Sequence, residues 1–141
     1  MSLTEPPKIS VIIPHYNPNS HFFKDSIQSI LVQSYTNWEA IIVNDGSPQK
    51  STKFLEDFIK SLDDKRFKII SHKTNQGVAS AKKTGVENSI GEIIVFLDTD
   101  DFHFPWYYNE INDHFSNNPE CLILATSSYQ HITTKKRKVF F

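Results

Sequence analysis

Asp98 and Asp100 follow the apolar run Glu92–Leu97 (EIIVFL) and stand two residues apart. In extended backbone, side chains at that spacing project to the same side, so the two carboxylates share one face. Carboxylates held so close repel each other unless a cation or a bonding network compensates. A hard divalent ion with oxygen ligands, Mg²⁺ or Mn²⁺, meets that need, and such ions take phosphate oxygens and water as further ligands. The chemistry implied is the handling of a phosphorylated or diphosphate ligand. Asp101 faces the other way in the same pattern and is placed to cap a following helix. Asp45 closes another apolar run and leads into Gly46-Ser47-Pro48. The glycine permits a tight turn, and the carboxylate can accept an N–H from a planar base or serve a ribose hydroxyl. Tyr16 offers a ring to stack on a base or sugar. Lys73, Lys82 and Lys83 supply positive charge that could neutralise a diphosphate, and each reads equally well as an exposed surface charge.

These residues need a scaffold that brings them to one edge. Four β-branched apolar runs read as buried strands: Lys8–Ile13, Trp38–Val43, Phe67–Ser71 and Glu92–Leu97. Cys121–Ala125 (CLILA) reads as a fifth, with Cys121 a buried thiol. Helical spacing links them. Phe22, Phe23, Ile27, Ile30 and Leu31 share one face behind a Ser20 or Asn19 cap. Phe54, Leu55, Phe58, Ile59 and Leu62 share another behind Ser51. Val78, Ala81, Gly85 and Val86 make a third, smaller face, and Pro105 suits the first turn of a fourth helix ending near Phe115. Strands alternating with helices imply right-handed βαβ units and a mostly parallel sheet. In such sheets ligands bind outside the carboxyl ends of the strands. Those ends carry Pro14-His15-Tyr16-Asn17, Asn44-Asp45-Gly46-Ser47 and Asp98-Thr99-Asp100-Asp101, and the third strand leads through Ser71-His72-Lys73-Thr74-Asn75-Gln76 to Gly77, just before a helix. Each loop alone is ordinary turn chemistry; their agreement on one edge argues for a site.

The 141 residues suffice for one core, and 15 Lys+Arg against 16 Asp+Glu give a net charge of −1. That balance argues against general nucleic-acid binding, which needs a clear basic excess. A single cysteine excludes a disulfide framework. His15, His21, His72, His103, His114 and His131 are scattered, without zinc-ligand spacing; only His15 and His103 fall in candidate loops. No apolar run approaches the length of a membrane span, and no signal-peptide pattern opens the chain, so the expected location is cytoplasmic. With four glycines there is no Gly-rich phosphate cradle, which shifts the phosphate-binding task toward a metal. Residues 1–7 read as a leader or disordered N-terminus, 8–126 as the α/β domain, and 127–141 as the start of a further region. In that region Tyr129–Thr134 and Val139–Phe141 read as two strands around Lys135-Lys136-Arg137-Lys138. The basic run is a solvated turn or, on the sharper reading, a peripheral contact with an anionic membrane surface.

The order KISVIIPHYN, a helix, QSYTNWEAIIVNDGS, then NQGVASAKKTGVENSIGEIIVFLDTDD resembles the N-terminal donor-binding part of a family 2 glycosyltransferase. The resemblance is continuous from Lys8 to Pro105 and looser to Ala125. It implies a GT-A fold, a Rossmann-like domain that binds a nucleotide-diphospho-sugar. It further implies inverting, Mn²⁺- or Mg²⁺-dependent transfer of the sugar, UDP-linked in many members, to a hydroxyl of a glycan or lipid-linked acceptor in surface polysaccharide synthesis. By position, Pro14, Tyr16 and Asn17 would line the nucleoside pocket and Asp45 would contact the base. Asp98-Thr99-Asp100 would be the Asp-x-Asp element, with Asp98 and Asp100 toward the metal and Thr99 in the nucleotide site. Lys82 falls where many members carry arginine beside the pyrophosphate; lysine keeps the charge and loses the bidentate geometry. Asn44 replaces an aspartate common there. The family's catalytic base comes from a later segment, so neither Asp113 nor Glu120 is assigned, and this portion could be inactive alone. The alternative to a free cytoplasmic location is a peripheral one at the inner face of the membrane. Three other readings compete: a haloacid-dehalogenase-like phosphohydrolase, a receiver-like domain, and a non-catalytic nucleotide- or metal-binding module. The first wants a Thr or Val where Phe102 stands, and the second wants an acidic pair where Pro14-His15 stands.

Overall fold

The computed structural model describes residues 8–124 and the backbone of residues 129–130 and 139–140. The expected leader, and the basic run 135–138, lie outside the described residues. Strands β1 (Ile9–His15), β2 (Trp38–Asp45), β3 (Phe67–His72) and β4 (Ile93–Phe96) alternate with helices α1 (Ser20–Leu31), α2 (Gln49–Leu62), α3 (Val78–Glu87) and α4 (Tyr107–Asn117). The four strands form one parallel sheet in the order β3-β2-β1-β4, with Val11 of β1 between Ala40 and Val95. Two short strands, β5 (Tyr129–Gln130) and β6 (Val139–Phe140), pair antiparallel, in keeping with the expected two-stranded tail.

Alternation along the strands divides the core into two layers. Ile9, Val11 and Ile13 point with Ala40 and Ile42 toward Phe23, Ile27 and Ile30 of α1, Leu55 and Ile59 of α2, and Tyr108 and Ile111 of α4. Ile12, Ile41 and Val43 face the other way, against Ala81 of α3. Handedness accounts for this split. The β1-α1-β2 and β2-α2-β3 crossovers step in one direction, while β3-α3-β4 returns past β2 and β1. Right-handed connections therefore place α3 on the opposite face.

Several local expectations need correction. Asn19 caps α1 as expected, its side chain accepting from the His21 and Phe22 N–H groups, whereas Phe22 itself is exposed. Ser51 does not cap α2; the helix starts at Gln49 behind Pro48, whose fixed φ suits the position, and Ser51 is buried inside it. The buried face of α3 is Ala81 and Gly85; Val78 and Val86 are exposed, because a close helix–sheet approach leaves room only for small residues. Pro105 precedes α4 in a turn instead of lying in its first turn. Residues 121–124 form no strand. The Cys121 N–H closes a turn onto Asn118 O, and Leu122 and Ile123 are exposed, with no strand laddered to them among the described residues. Cys121 is accordingly only half-buried, its Sγ 3.4 Å from Ile123 O.

Residues 98–108 are strapped along α1. Ser26 Oγ donates to Asp98 O, the His103 N–H to Ser29 Oγ, Gln33 Nε2 to Phe104 O at 2.7 Å, and the Ser34 N–H to Pro105 O at 2.8 Å. The strap fixes the start of the acidic loop against the helix that leaves β1. At the opposite edge, buried Glu39 accepts from Ser10 Oγ, the Ile90 N–H and Lys68 Nζ, fastening β1, β3 and the turn before β4 to β2.

Gly85 sets the α3–sheet distance: a Cβ there would lie 2.3 Å from Ile12 Cγ2. Helix propensity alone favours alanine by about 1 kcal/mol, but overpacking a buried contact costs about 1–3 kcal/mol. Gly85→Ala is therefore expected to lower stability. Thermal melting reads the sign, and a raised melting temperature would show that Ile12 yields freely.

Candidate functional site

The strand order reverses direction between β1 and β4, and a cleft of about 330 Å³ opens there at the carboxyl ends of the strands. It is lined by Pro14 and Tyr16 from the end of β1, Asp45 from β2, and Asp98, Thr99 and Asp100 after β4. Six of the eight residues expected from the sequence thus converge. The other two, Asn17 and Lys82, do not line the cleft. Asn17 is exposed at φ 42°, its N–H donating to Ser47 Oγ at 3.0 Å, so it ties the first loop to the second. Lys82 reaches the cleft's edge indirectly, with Nζ 3.0 Å from Asp98 Oδ1 and 5.3 Å from the centre of the Phe96 ring. Lys83 pairs with Glu87 on the exposed side of α3, and Lys73 is exposed.

Asp98 and Asp100 face one cleft, but not through extended backbone. The Asp101 N–H donates to Asp98 O at 3.1 Å, closing a turn through Thr99 and Asp100. Asp101 is spent on that turn and does not cap α4, which begins six residues later. Its side chain is exposed, yet its carboxyl is raised above the ordinary value. The surrounding chain is the larger cause, followed by the charges of Asp100 and Asp98, with Lys82 opposing. Three carboxylates compensated by one lysine leave an excess of negative charge with hard oxygen donors, the donor set that suits Mg²⁺ or Mn²⁺. Among the described residues no group of three His, Cys, Asp or Glu side chains could hold an ion unaided. An ion held by Asp98 and Asp100 would need further ligands, such as phosphate oxygens and water.

Asp45 is a carboxylate of another kind. It is 2% exposed and accepts from His72 Nδ1 at 2.6 Å, the Gln76 N–H at 2.9 Å and the Gly77 N–H at 2.8 Å. Burial pushes its carboxyl up, but these bonds together outweigh burial and hold it below the ordinary range. Gly46 beside it has φ +69°, and a Cβ there would lie 2.4 Å from the Thr74 and Asn75 backbone, so the β3–α3 loop packs directly on this turn.

The loop from Ser71 to Gly77, expected at the same edge, supplies Asn75; sequence reasoning missed Val78 and Ala81 of α3, which complete the wall, and the pairing of His72 with Asp45. His15 lines the cleft at its base, fully buried, its ring edge-on to Phe23 and its Nδ1 3.3 Å from Ser47 Oγ. His103 is held in the strap beside Tyr108, away from the cleft lining.

A parallel α/β sheet with an aspartate-lined cleft at its strand reversal defines a Rossmann-like GT-A domain. The chain belongs to glycosyl transferase family 2, whose model matches residues 10–140. A Haemophilus influenzae uncharacterised glycosyltransferase is 44% identical over 96 residues, which span 68% of this chain and 37% of that protein. An Escherichia coli UDP-Glc:α-D-GlcNAc-diphosphoundecaprenol β-1,3-glucosyltransferase is 34% identical over 103 residues, spanning 73% of this chain and 38% of that enzyme. The match thus spans well under half of either relative. Among solved structures, S. aureus TarS 1-349 in complex with UDP has a TM-score of 0.69 at 22% identity, covering 79% of this chain and 33% of that one. The Pyrobaculum calidifontis mannosyltransferase PcManGT in complex with GDP-Man and Mn²⁺ has a TM-score of 0.62 at 24% identity, covering 70% and 29%.

His15 and His103 are both pulled down to about 4, chiefly by burial; the Asn44 amide alongside His15 opposes this in part. Unfolded, each takes a proton near pH 6.5, whereas the native fold resists it until about pH 4. Stability present above pH 6.5 is therefore lost as the pH falls toward 4, by up to about 1.4 kcal/mol per pH unit for each histidine, and then levels off. Urea unfolding at pH 7, 6 and 5 should show this loss, with a shallower slope in His15→Asn. Equal slopes in the two proteins would contradict it.

Proposed function

We propose that this domain binds the nucleoside diphosphate of a sugar donor, with UDP favoured, and forms the donor side of an inverting glycosyltransferase that works with Mn²⁺ or Mg²⁺. The observation that carries the reading is the convergence of an exposed aromatic ring, a buried carboxylate and an under-compensated acidic pair in one cleft. Tyr16, 55% exposed, offers a face for the base, Pro14 lines the same cleft, and Asn17 ties the Tyr16 loop to Ser47. Asp45 accepts an N–H from the base. Thr99 lies where the ribose or diphosphate would pass. Asp98 and Asp100 hold the divalent ion, which when bound supplies positive charge against the leaving diphosphate. Lys82, paired with Asp98, orients that carboxylate and stands beside the diphosphate's path.

The E. coli relative's UDP-Glc donor and α-D-GlcNAc-diphosphoundecaprenol acceptor support a UDP-sugar and a lipid-linked glycan here, as in surface polysaccharide synthesis. The UDP and UDP-GlcNAc complexes of TarS support a uridine nucleotide, and the GDP-Man and Mn²⁺ complex of PcManGT supports the metal. Inversion needs a base to take the acceptor's proton. Asp113 and Glu120, on α4 and after it, do not line the cleft and are not assigned that role.

Calorimetry with UDP and Mn²⁺ is expected to show binding that EDTA weakens and that Asp100→Ala weakens by about tenfold or more, the worth of one charged contact. Asp45→Ala should weaken UDP binding with or without metal. If no nucleoside diphosphate binds with any divalent ion, the reading fails.

A further inference from the structure

A carboxylate selects a base by its N–H only if its remaining lone pair is aimed. On Asp45, Oδ1 already accepts twice, from His72 Nδ1 and the Gln76 N–H, whereas Oδ2 accepts once, from the Gly77 N–H. One acceptor position is left, on Oδ2. His72 stands directly across the β2–β3 ladder from Asp45, its side chain 9% exposed. A carboxylate only accepts, so Nδ1 carries the proton in this pair. His72 Nε2 lies 2.9 Å from Thr84 Oγ1, one turn before the end of α3. In the neutral ring that nitrogen accepts from the threonine hydroxyl, which fixes the Nδ1–H tautomer. The loop from Thr74 to Gly77 cannot slide away, because its backbone rests on Gly46 with no room for a Cβ.

We infer that His72, backed by Thr84, is a positioning residue for nucleobase choice: it holds Asp45 so that the free Oδ2 acceptor favours a base with a ring imide N–H over one presenting a lone pair there. The inference rests on the nucleotide-sugar reading above. Uracil offers the N–H; cytosine, with an unprotonated N3, meets the carboxylate lone pair to lone pair. Without His72 the buried carboxylate keeps two backbone donors, loses its strongest restraint and becomes free to rotate or to take up a proton. Discrimination then falls even where the cleft still forms.

The test compares UDP and CDP binding, with Mn²⁺ present, for the full chain and three variants. The unaltered protein is expected to prefer UDP. His72→Phe should reduce the UDP:CDP preference by about tenfold or more, the scale of one charged hydrogen bond. His72→Asn, whose Nδ2 can donate from the place of Nδ1, should retain it to within about threefold, and Thr84→Val should fall between them. Melting temperatures measured in parallel identify a merely structural role: stability falls in His72→Phe while the UDP:CDP ratio stays that of the unaltered protein. That result overturns the inference and leaves the nucleotide reading standing. Should His72→Phe not fold, a Thr84→Val ratio equal to that of the unaltered protein overturns it as well. Failure of the unaltered protein to bind UDP overturns both.

Discussion

The handedness of the βαβ crossover governs this domain. Two crossovers step the chain outward from β1 to β3, and the third must carry it back to the other side of β1 without changing hand. That requirement places α3, alone among the described helices, on one face, opens the sheet between β1 and β4 at their carboxyl ends, and brings the start of α3 to the cleft wall. The small residues Ala81 and Gly85 follow from the same demand, since a helix crossing two strands closely cannot carry bulk on its inner side.

Within that frame the carboxylates take different parts because their surroundings differ. Asp45 is buried but accepts three hydrogen bonds, and so stays ionised where an unpaired carboxylate would not. Asp98, Asp100 and Asp101 stand in a turn near solvent with one lysine among them, and the carboxyl of Asp101 is raised first by its partial burial and then by the charges of Asp100 and Asp98. The first kind of environment builds a fixed acceptor. The second builds a place that gains from a cation.

Much of this was legible in the sequence. Apolar β-branched runs fixed the four sheet strands to within a few residues, because burial on both faces leaves little else that such runs can be. The strand ends then located the site, since Pro14, Tyr16, Asp45 and Asp98 to Asp100 each lie at or just past the carboxyl end of a strand. The errors have local causes. Cys121–Ala125 has strand composition, but residues 121–124 ladder with nothing among the described residues; composition does not supply a partner. Ser51 has a capping side chain, but Pro48 fits the helix start better. The extended-backbone argument for Asp98 and Asp100 reached the right shared face by the wrong route, because a turn can also bring alternate residues together. His72 lay 27 residues from Asp45, just past the third apolar run, and looked like an ordinary surface or core histidine. Its partner emerges only once β2 and β3 are set in register, a non-local fact that no single-run pattern contains.

The β3–α3 loop also bears on how phosphate charge would be met. A helix N-terminus attracts anions through its free N–H groups and the dipole, and α3 starts at the cleft behind Gly77 with no side-chain cap. Yet the Asp45 carboxylate already sits at that entry, bonded to the Gln76 and Gly77 N–H groups. A diphosphate placed there would meet a negative charge that the fold keeps ionised. Across the cleft, near Asp98 and Asp100, the bare protein is still more negative, but those side chains are exposed and can accept a cation, and Lys82 lies beside them. On the proposed reading, the base therefore belongs at the Asp45 end, where a neutral donor group is wanted. The diphosphate belongs at the acidic end, where negative oxygens on both sides share one divalent ion. Orientation of the donor then follows from which carboxylate the fold has already satisfied.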